Sequence, residues 1–186
     1  ASKIKPGFIV FDIGANIGHY TRLYSNLVGD KGLVVAFEPS NENFKKLLEH
    51  TENLDNVISV NCGVGATNSK FWLSQGNDAL GATSQILDSE RGEGNWIKIK
   101  PLDSLVNQYG KPNALKIDVE GFELEVLEGA YGVLLNDNIK VIGIEIHTEI
   151  LNARGIKNSH QKIDRILKNN GFITTHPDFS HIIGYK

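Results

Sequence analysis

The stretch FIVFDIGANIGHYT, residues 8–21, decides the fold. Apolar residues run up to Asp12, as in a strand buried on both faces. A glycine turn follows, then the start of a helix. Gly14 and Gly18 let the backbone turn tightly and approach a ligand, because neither carries a Cβ. The helix beyond offers unpaired N–H groups and its positive dipole end to an anionic group. The spacing is G-x-x-x-G. The dinucleotide fingerprint, G-x-G-x-x-G, needs its second glycine for a pyrophosphate. This turn therefore suits the small carboxylate of a nucleotide-like cofactor better than a diphosphate.

Outward from this stretch, strands and helices alternate. Strands are predicted at 8–12, 33–37, 57–61, 114–119 and 141–147, and helices at 17–28, 41–53, 123–135 and 160–170. Ser40 is placed to cap the second helix, and Gly171 to stop the last. Segments 172–176 and 181–185, joined by a Pro-Asp turn, predict a closing hairpin. This alternation predicts an α/β fold, a mostly parallel sheet with helices on both faces. Residues 1–186 read as one domain with an irregular insertion at about 64–113. Within it, 70–73 and 96–100 can pair as short strands, and 74–94 reads as a lid or a surface loop.

Composition narrows the function. The net charge of −3 gives no electrostatic case for nucleic acid. One cysteine, Cys62, excludes an internal disulfide and a cysteine-only zinc site. No apolar run approaches the roughly 18 residues of a membrane span, and no signal peptide is visible. A cytoplasmic setting is expected. The chain starts at Ala1 without methionine, either after loss of an initiator or as part of a longer protein. Oligomeric state is not legible.

Ligands of open parallel sheets bind beyond the carboxyl ends of the strands. Those ends carry Asp12, Glu38, Asp118, Glu145 and His147. Glu38, 24 residues after Gly14, is placed to accept hydrogen bonds from ribose hydroxyls, or to cap the helix after Pro39.

DIGANIGHYT, AFEPS and above all LKIDVEGFELEVLEGA resemble the FkbM-type S-adenosylmethionine-dependent methyltransferases. The resemblance covers residues 8–146. It implies a Rossmann-like class I methyltransferase fold, with seven strands and the last antiparallel. It implies O-methylation of a hydroxyl on a small molecule or glycan, with S-adenosylmethionine as cofactor. Asp12, Gly14, Ala15, Asn16 and Gly18 would then line the methionine end, supported by Tyr20 and Thr21. Glu38, followed by Pro39, would hold the ribose, and the turn with Cys62 and Gly63 would approach the adenine. Asp118 would sit beside the sulfonium and the acceptor.

A sulfonium methyl is already activated, so the protein must chiefly align the acceptor oxygen and exclude water. A hydroxyl also needs a base, worth roughly 10²–10⁴-fold. His147 is the first candidate and Asp118 the second; Glu145, two residues before His147, is placed to orient the imidazole or to make a structural hydrogen bond. Asp118, Glu120, Glu145 and His147 also form an oxygen-rich set that suits magnesium. Glu120 has a plain dipole-capping role before the next helix, and no metal is assigned. Lys116 is expected to pair with an acid or reach the sheet edge, His19 to lie at the surface, and Trp72 and Trp96 to be core, with a stacking platform for the acceptor as the alternative. Two rivals stay open: a non-catalytic cofactor-binding module and a nucleotide-dependent oxidoreductase.

Overall fold

The structure is a computed structural model that describes residues 3–74, 86–87, 90 and 92–186. The expected lid at 74–94 lies largely outside the described residues. The elements are β1 (Ile9–Ile13), α1 (His19–Val28), β2 (Leu33–Phe37), α2 (Asn41–Thr51), β3 (Val57–Val60), β4 (Gly63–Val64), β5 (Ser69–Ser74), β6 (Ile86–Leu87) and β7 (Gly94–Lys100). They continue with α3 (Leu102–Tyr109), β8 (Ala114–Ile117), α4 (Glu123–Glu128), α5 (Tyr131–Leu135), β9 (Val141–Glu145), α6 (Thr148–Ala153), α7 (Ser159–Asn169), β10 (Ile173–Thr175) and β11 (His181–Tyr185).

The main sheet has seven strands in the order β10-β11-β9-β8-β1-β2-β3. The pairs from β9 to β3 are parallel, while β11 runs antiparallel to both neighbours. This is the class I methyltransferase architecture expected above, closing hairpin included.

Alternation along β1 explains why the sheet is covered twice. Val10 packs with Val34, Tyr24 and Val28 on the α1 side. Phe11 and Ile13 face the larger core with Leu105, Val126 and Leu134 from α3, α4 and α5. Phe11 stands edge-to-face on Phe37, with ring centroids 5.4 Å apart. Fully burying side chains of this size contributes about 1.5–3 kcal/mol each.

The described part of the segment 64–113 carries more regular structure than expected. It contributes a second sheet, β4-β7-β5-β6, in which β5 and β7 pair as anticipated, and then α3. The helix expected over 123–135 is two helices, α4 and α5. Gly129 marks the break, because a Cβ there would lie 2.0 Å from the Gly65 carbonyl oxygen. The new start is capped by Asp103, whose carboxylate accepts the N–H groups of Gly132 and Val133, both at 2.8 Å. Among the described residues no helix is long and apolar enough to cross a membrane.

Candidate active site

The chain moves outward from β1 to β2 and β3, then returns to place β8 on the other side of β1. That reversal opens a crevice beyond the carboxyl ends of β1 and β8. Gly14, Asn16, Glu38, Pro39 and Ser40 line the cleft there from the β1 and β2 ends. Gly63, Val64 and Leu73 line it from the second sheet, and Asp118, Val119, Glu120 and Phe122 from the β8–α4 segment.

The glycine turn is locked from three sides. The N–H groups of Gly14 and Ala15 both donate to the Phe37 carbonyl, each at 3.0 Å. The Gly14 carbonyl accepts from Lys116 Nζ at 2.7 Å. Gly14 has φ +78°, and a Cβ there would lie 1.7 Å from the Asp118 carbonyl oxygen. Asn16, at φ 51°, donates its N–H to Glu38 Oε2 at 2.8 Å. Glu38 Oε1 accepts from Ser40 N at 2.8 Å. Burial pushes the Glu38 carboxyl up to about 7, against those two N–H groups and Lys116, which favour the charge. Ser40 caps α2 as anticipated, accepting from Asn43 N at 3.4 Å.

Beneath the turn lies a buried charge network. Asp12 is fully buried and accepts from Thr21 Oγ1 at 2.6 Å. Lys116 Nζ stands 3.3 Å from Asp12 Oδ1 and 3.3 Å from Asp118 Oδ2. Burial opposes the Lys116 charge, but the two carboxylates outweigh it and raise its pKa. The expectation that Lys116 pairs with an acid therefore holds, with two acids rather than one.

Asp118 turns its other oxygen towards a second cluster. Its Oδ1 is 3.7 Å from His147 Nε2, and Glu120 Oε2 is 3.2 Å from the same nitrogen. On the far side, His147 Nδ1 meets Glu123 Oε1 at 2.8 Å. Burial opposes a charge on His147, but the Glu123 hydrogen bond and the charges of Glu120, Glu123 and Asp118 raise its pKa to about 9. The imidazole is thus a cation at neutral pH, hydrogen-bonded through Nδ1 to Glu123 and ion-paired through Nε2 with Glu120 and Asp118. Asp118, Glu120 and His147 each offer a ligand atom within 4.8 Å of the others, a donor set that a divalent ion can use.

Several expectations need correcting. Glu145 does not orient His147; its Oε2 lies 3.5 Å from His181 Nε2. The alternation that put both residues on one face stops where β9 ends, because the backbone turns at His147 into α6. Glu123 holds the imidazole instead. Glu120 is not the helix cap either: Glu123 Oε1 takes the Gly121 N–H at 2.9 Å, and Glu120 sits at φ 51° with its carboxylate on His147.

Of the residues expected to contact cofactor, Gly14, Asn16, Glu38, Pro39, Gly63 and Asp118 line the cleft, whereas Asp12, Ala15, Gly18, Tyr20, Thr21 and Cys62 do not. Asp12 and Thr21 form the floor just described. Ala15 packs on Ala36 and Leu47, and Gly18 caps α1. Tyr20 is half exposed, with its ring 5.5 Å from Lys116 Nζ. Cys62 turns into the main core, where burial pushes its thiol up to about 11. Trp96 is 47 % exposed, not core. It pairs with Trp72 across β5 and β7, while the neighbouring pair Phe71 and Ile97 takes the inward face beside Phe122. His19 is exposed, as expected. Sequence reading missed Leu73 and Phe122 as walls of the cleft.

Known proteins of this architecture include the methyltransferase FkbM from Methylobacillus flagellatus. It superposes with TM-score 0.65 at 17% identity, over 96% of this chain and 43% of that one. Aeropyrum pernix fibrillarin, solved with S-adenosyl-L-methionine, superposes with TM-score 0.62 at 15% identity, over 98% of this chain and 67% of that one. The fold is the Rossmann-like S-adenosylmethionine-binding fold. The hexuronic acid methyltransferase AglP of Haloferax volcanii is 32% identical over 146 residues, 76% of this chain. The chain spans 57% of that relative's length. With residues 12–174 matching the family model, this chain belongs to the methyltransferase FkbM domain family.

Proposed function

We propose that this chain transfers the methyl group of S-adenosylmethionine to a hydroxyl of a small molecule or glycan. The observation that carries the reading is the juxtaposition of two half-sites on one crevice. A glycine-turn cleft reaches Glu38 on one side and Asp118 and Glu120 on the other, and His147, which is not itself a lining residue, stands behind those two acids. The similarity to a hexuronic acid methyltransferase favours a sugar acceptor.

The residues present fit the cofactor. Gly14 leaves no room for a Cβ between the turn and Asp118, so the turn packs directly on the β8 end and the two line one cleft. Glu38 spends one lone pair of each oxygen on a backbone N–H, leaving the others for ribose hydroxyls. Leu73, Val64 and Phe122 supply an apolar wall for a purine. When bound, the cofactor supplies an activated methyl group on a sulfonium. The carboxylate of Asp118, neutralised in part by Lys116, orients that end rather than driving the step. His147 Nε2, once deprotonated, takes the acceptor hydroxyl proton, and Glu120 beside it orients the acceptor.

Calorimetric titration with S-adenosylhomocysteine tests the cofactor half. Micromolar binding is expected, weakened tenfold or more in Glu38→Ala, roughly 1.4 kcal/mol or above. Absence of binding by a folded sample would overturn the reading. Turnover of a hydroxyl library, beginning with sugars, tests the acceptor half. Binding without any turnover, and a stable partner protein on pull-down, would favour a non-catalytic module instead.

A third expectation concerns metal. The His147 cation already stands against both Asp118 and Glu120, so the cluster holds a positive charge between these acids without an added ion. Treatment with EDTA should leave the methylation rate within twofold. A loss restored by magnesium or manganese would make the cluster a metal site.

A further inference from the structure

We propose that Glu123 is a positioning residue for methyl transfer, fixing from behind which imidazole nitrogen of His147 faces the acceptor. The proposal rests on the reading of His147 as proton acceptor. Glu123 is fully buried, whereas the His147 side chain is partly exposed, so Glu123 cannot touch cofactor or acceptor. It acts only through its neighbours. Its Oε1 accepts from His147 Nδ1 at 2.8 Å and from Gly121 N at 2.9 Å. Its Oε2 has no hydrogen-bond partner among the described residues.

A buried carboxylate oxygen left unpaired is costly. The Gly121 bond alone would not require a charge, since a neutral amide oxygen closes the same turn. The carboxylate gains from its charge at the imidazole. With Nδ1–H tied to Glu123, the Nε2 atom is the one presented to Asp118 and Glu120. This is the relation between a general base and the acid that orients it.

The other charges around His147 are accounted for. In front stand Asp118 and Glu120. Lys116 engages the far oxygen of Asp118. Arg154, at the opposite end of α6 from His147, is tied to Glu125 and the Gly121 carbonyl. Glu145 of β9 faces His181. Glu123 is thus the one acid among these placed to hold Nδ1.

The test combines Glu123→Gln and Glu123→Ala with two readouts on the intact chain. The first is the ¹⁵N NMR titration of the histidine rings, with the His147 signals assigned by their loss in His147→Asn. The second is the pH profile of kcat/KM at saturating cofactor. Glutamine keeps an oxygen for Nδ1–H and Gly121 but removes the charge. Proton affinity at His147 should fall about tenfold or more in Glu123→Gln, and the rising limb of the rate should move to lower pH with it. Glu123→Ala should lower kcat about 10²-fold with KM and S-adenosylhomocysteine affinity within twofold, and Glu123→Gln should recover most of that loss. An unmoved NMR titration would overturn the proposal outright. An NMR titration that moves while the rate profile stays fixed would overturn it at the step beneath, because His147 would not be the base. Equal loss of kcat and of cofactor binding in both variants would reduce Glu123 to a turn cap.

Discussion

Gly14→Ala should lower the melting temperature by roughly 10 °C and remove detectable S-adenosylhomocysteine binding. Two costs add. At φ +78° an alanine pays for a left-handed backbone, about 1–2 kcal/mol. Its Cβ would also arrive 1.7 Å from the Asp118 carbonyl oxygen and 2.8 Å from that carbonyl carbon. Those atoms are main chain and cannot step aside as a side-chain tip would. Asp118 N is itself bonded to the Ile13 carbonyl at 3.0 Å, so relief means prising β8 from β1 at the strand ends. Overpacking of this kind costs about 1–3 kcal/mol. The sum, roughly 2–5 kcal/mol, corresponds to a drop centred near 10 °C in a chain of this size. Binding suffers separately, because the same movement breaks the Lys116 bond to Gly14 and displaces the Asn16 N–H from Glu38. Gly29→Ala is the control: φ is +63° and a Cβ there meets nothing within 4 Å. It should cost the backbone term alone, about 1–3 kcal/mol at its ψ of −172°, with binding intact. If scanning calorimetry finds the two variants melting together and binding alike, the turn is not locked against Asp118.

That locking shows what the sequence could and could not convey. The strand-turn-helix of residues 8–21 was legible because its signals are local: a continuous apolar run, two glycines at fixed spacing, and Glu38 at the next strand end. The hairpin of β10 and β11 was legible for the same reason, from a Pro-Asp turn between two β-rich runs. α3 was missed although Leu102, Leu105, Val106 and Tyr109 recur at helical spacing, because the segment was read as part of an irregular insertion. The break between α4 and α5 was not legible. It depends on Gly65, more than sixty residues earlier, occupying the space beside Gly129. The partner of His147 failed in the same manner. Counting two residues back along a strand selected Glu145, but the strand had already ended, and the acid that reaches Nδ1 sits 24 positions upstream on another element. Asp12 looked like a ligand contact from its place at a strand end. Only the register of β1 against β8, which sets Asp12 opposite Lys116, reveals it as the buried counter-charge under the site. Local pattern thus located the crevice, whereas the identities of the groups that tune it are set by contacts between distant segments.

His147→Asn should reduce kcat by about 10²–10⁴-fold while leaving S-adenosylhomocysteine affinity within twofold. Asparagine is the informative substitution because its amide nitrogen can occupy the place of Nδ1 and still donate to Glu123. It has nothing at the place of Nε2, so the proton acceptor facing Asp118 and Glu120 is lost while the support behind it is kept. Alanine would strand Glu123, a fully buried carboxylate, and confuse a catalytic loss with unfolding. The wild-type rate should climb as His147 loses its proton and level off once pH passes about 9 in the cofactor-free site, with a nearby sulfonium moving that limb downward. Stability should move the opposite way. The folded-state pKa of His147 lies above its ordinary value, so its contribution is complete below about pH 6.5 and fades as pH rises through about 9. Glu38, raised to about 7, destabilises increasingly as pH climbs from its ordinary range through 7, and it does so in both proteins. The difference in melting temperature between wild type and His147→Asn isolates the histidine, and it should shrink between pH 6.5 and 9.5. A variant that keeps its rate, or a difference that does not shrink with pH, would show that the imidazolium is not held as the geometry requires. The two measurements constrain each other: the charge that the three carboxylates stabilise in the resting site is the charge that must be given up before His147 can accept the acceptor's proton. The same cluster that secures this corner of the fold at neutral pH therefore sets the pH at which it can work.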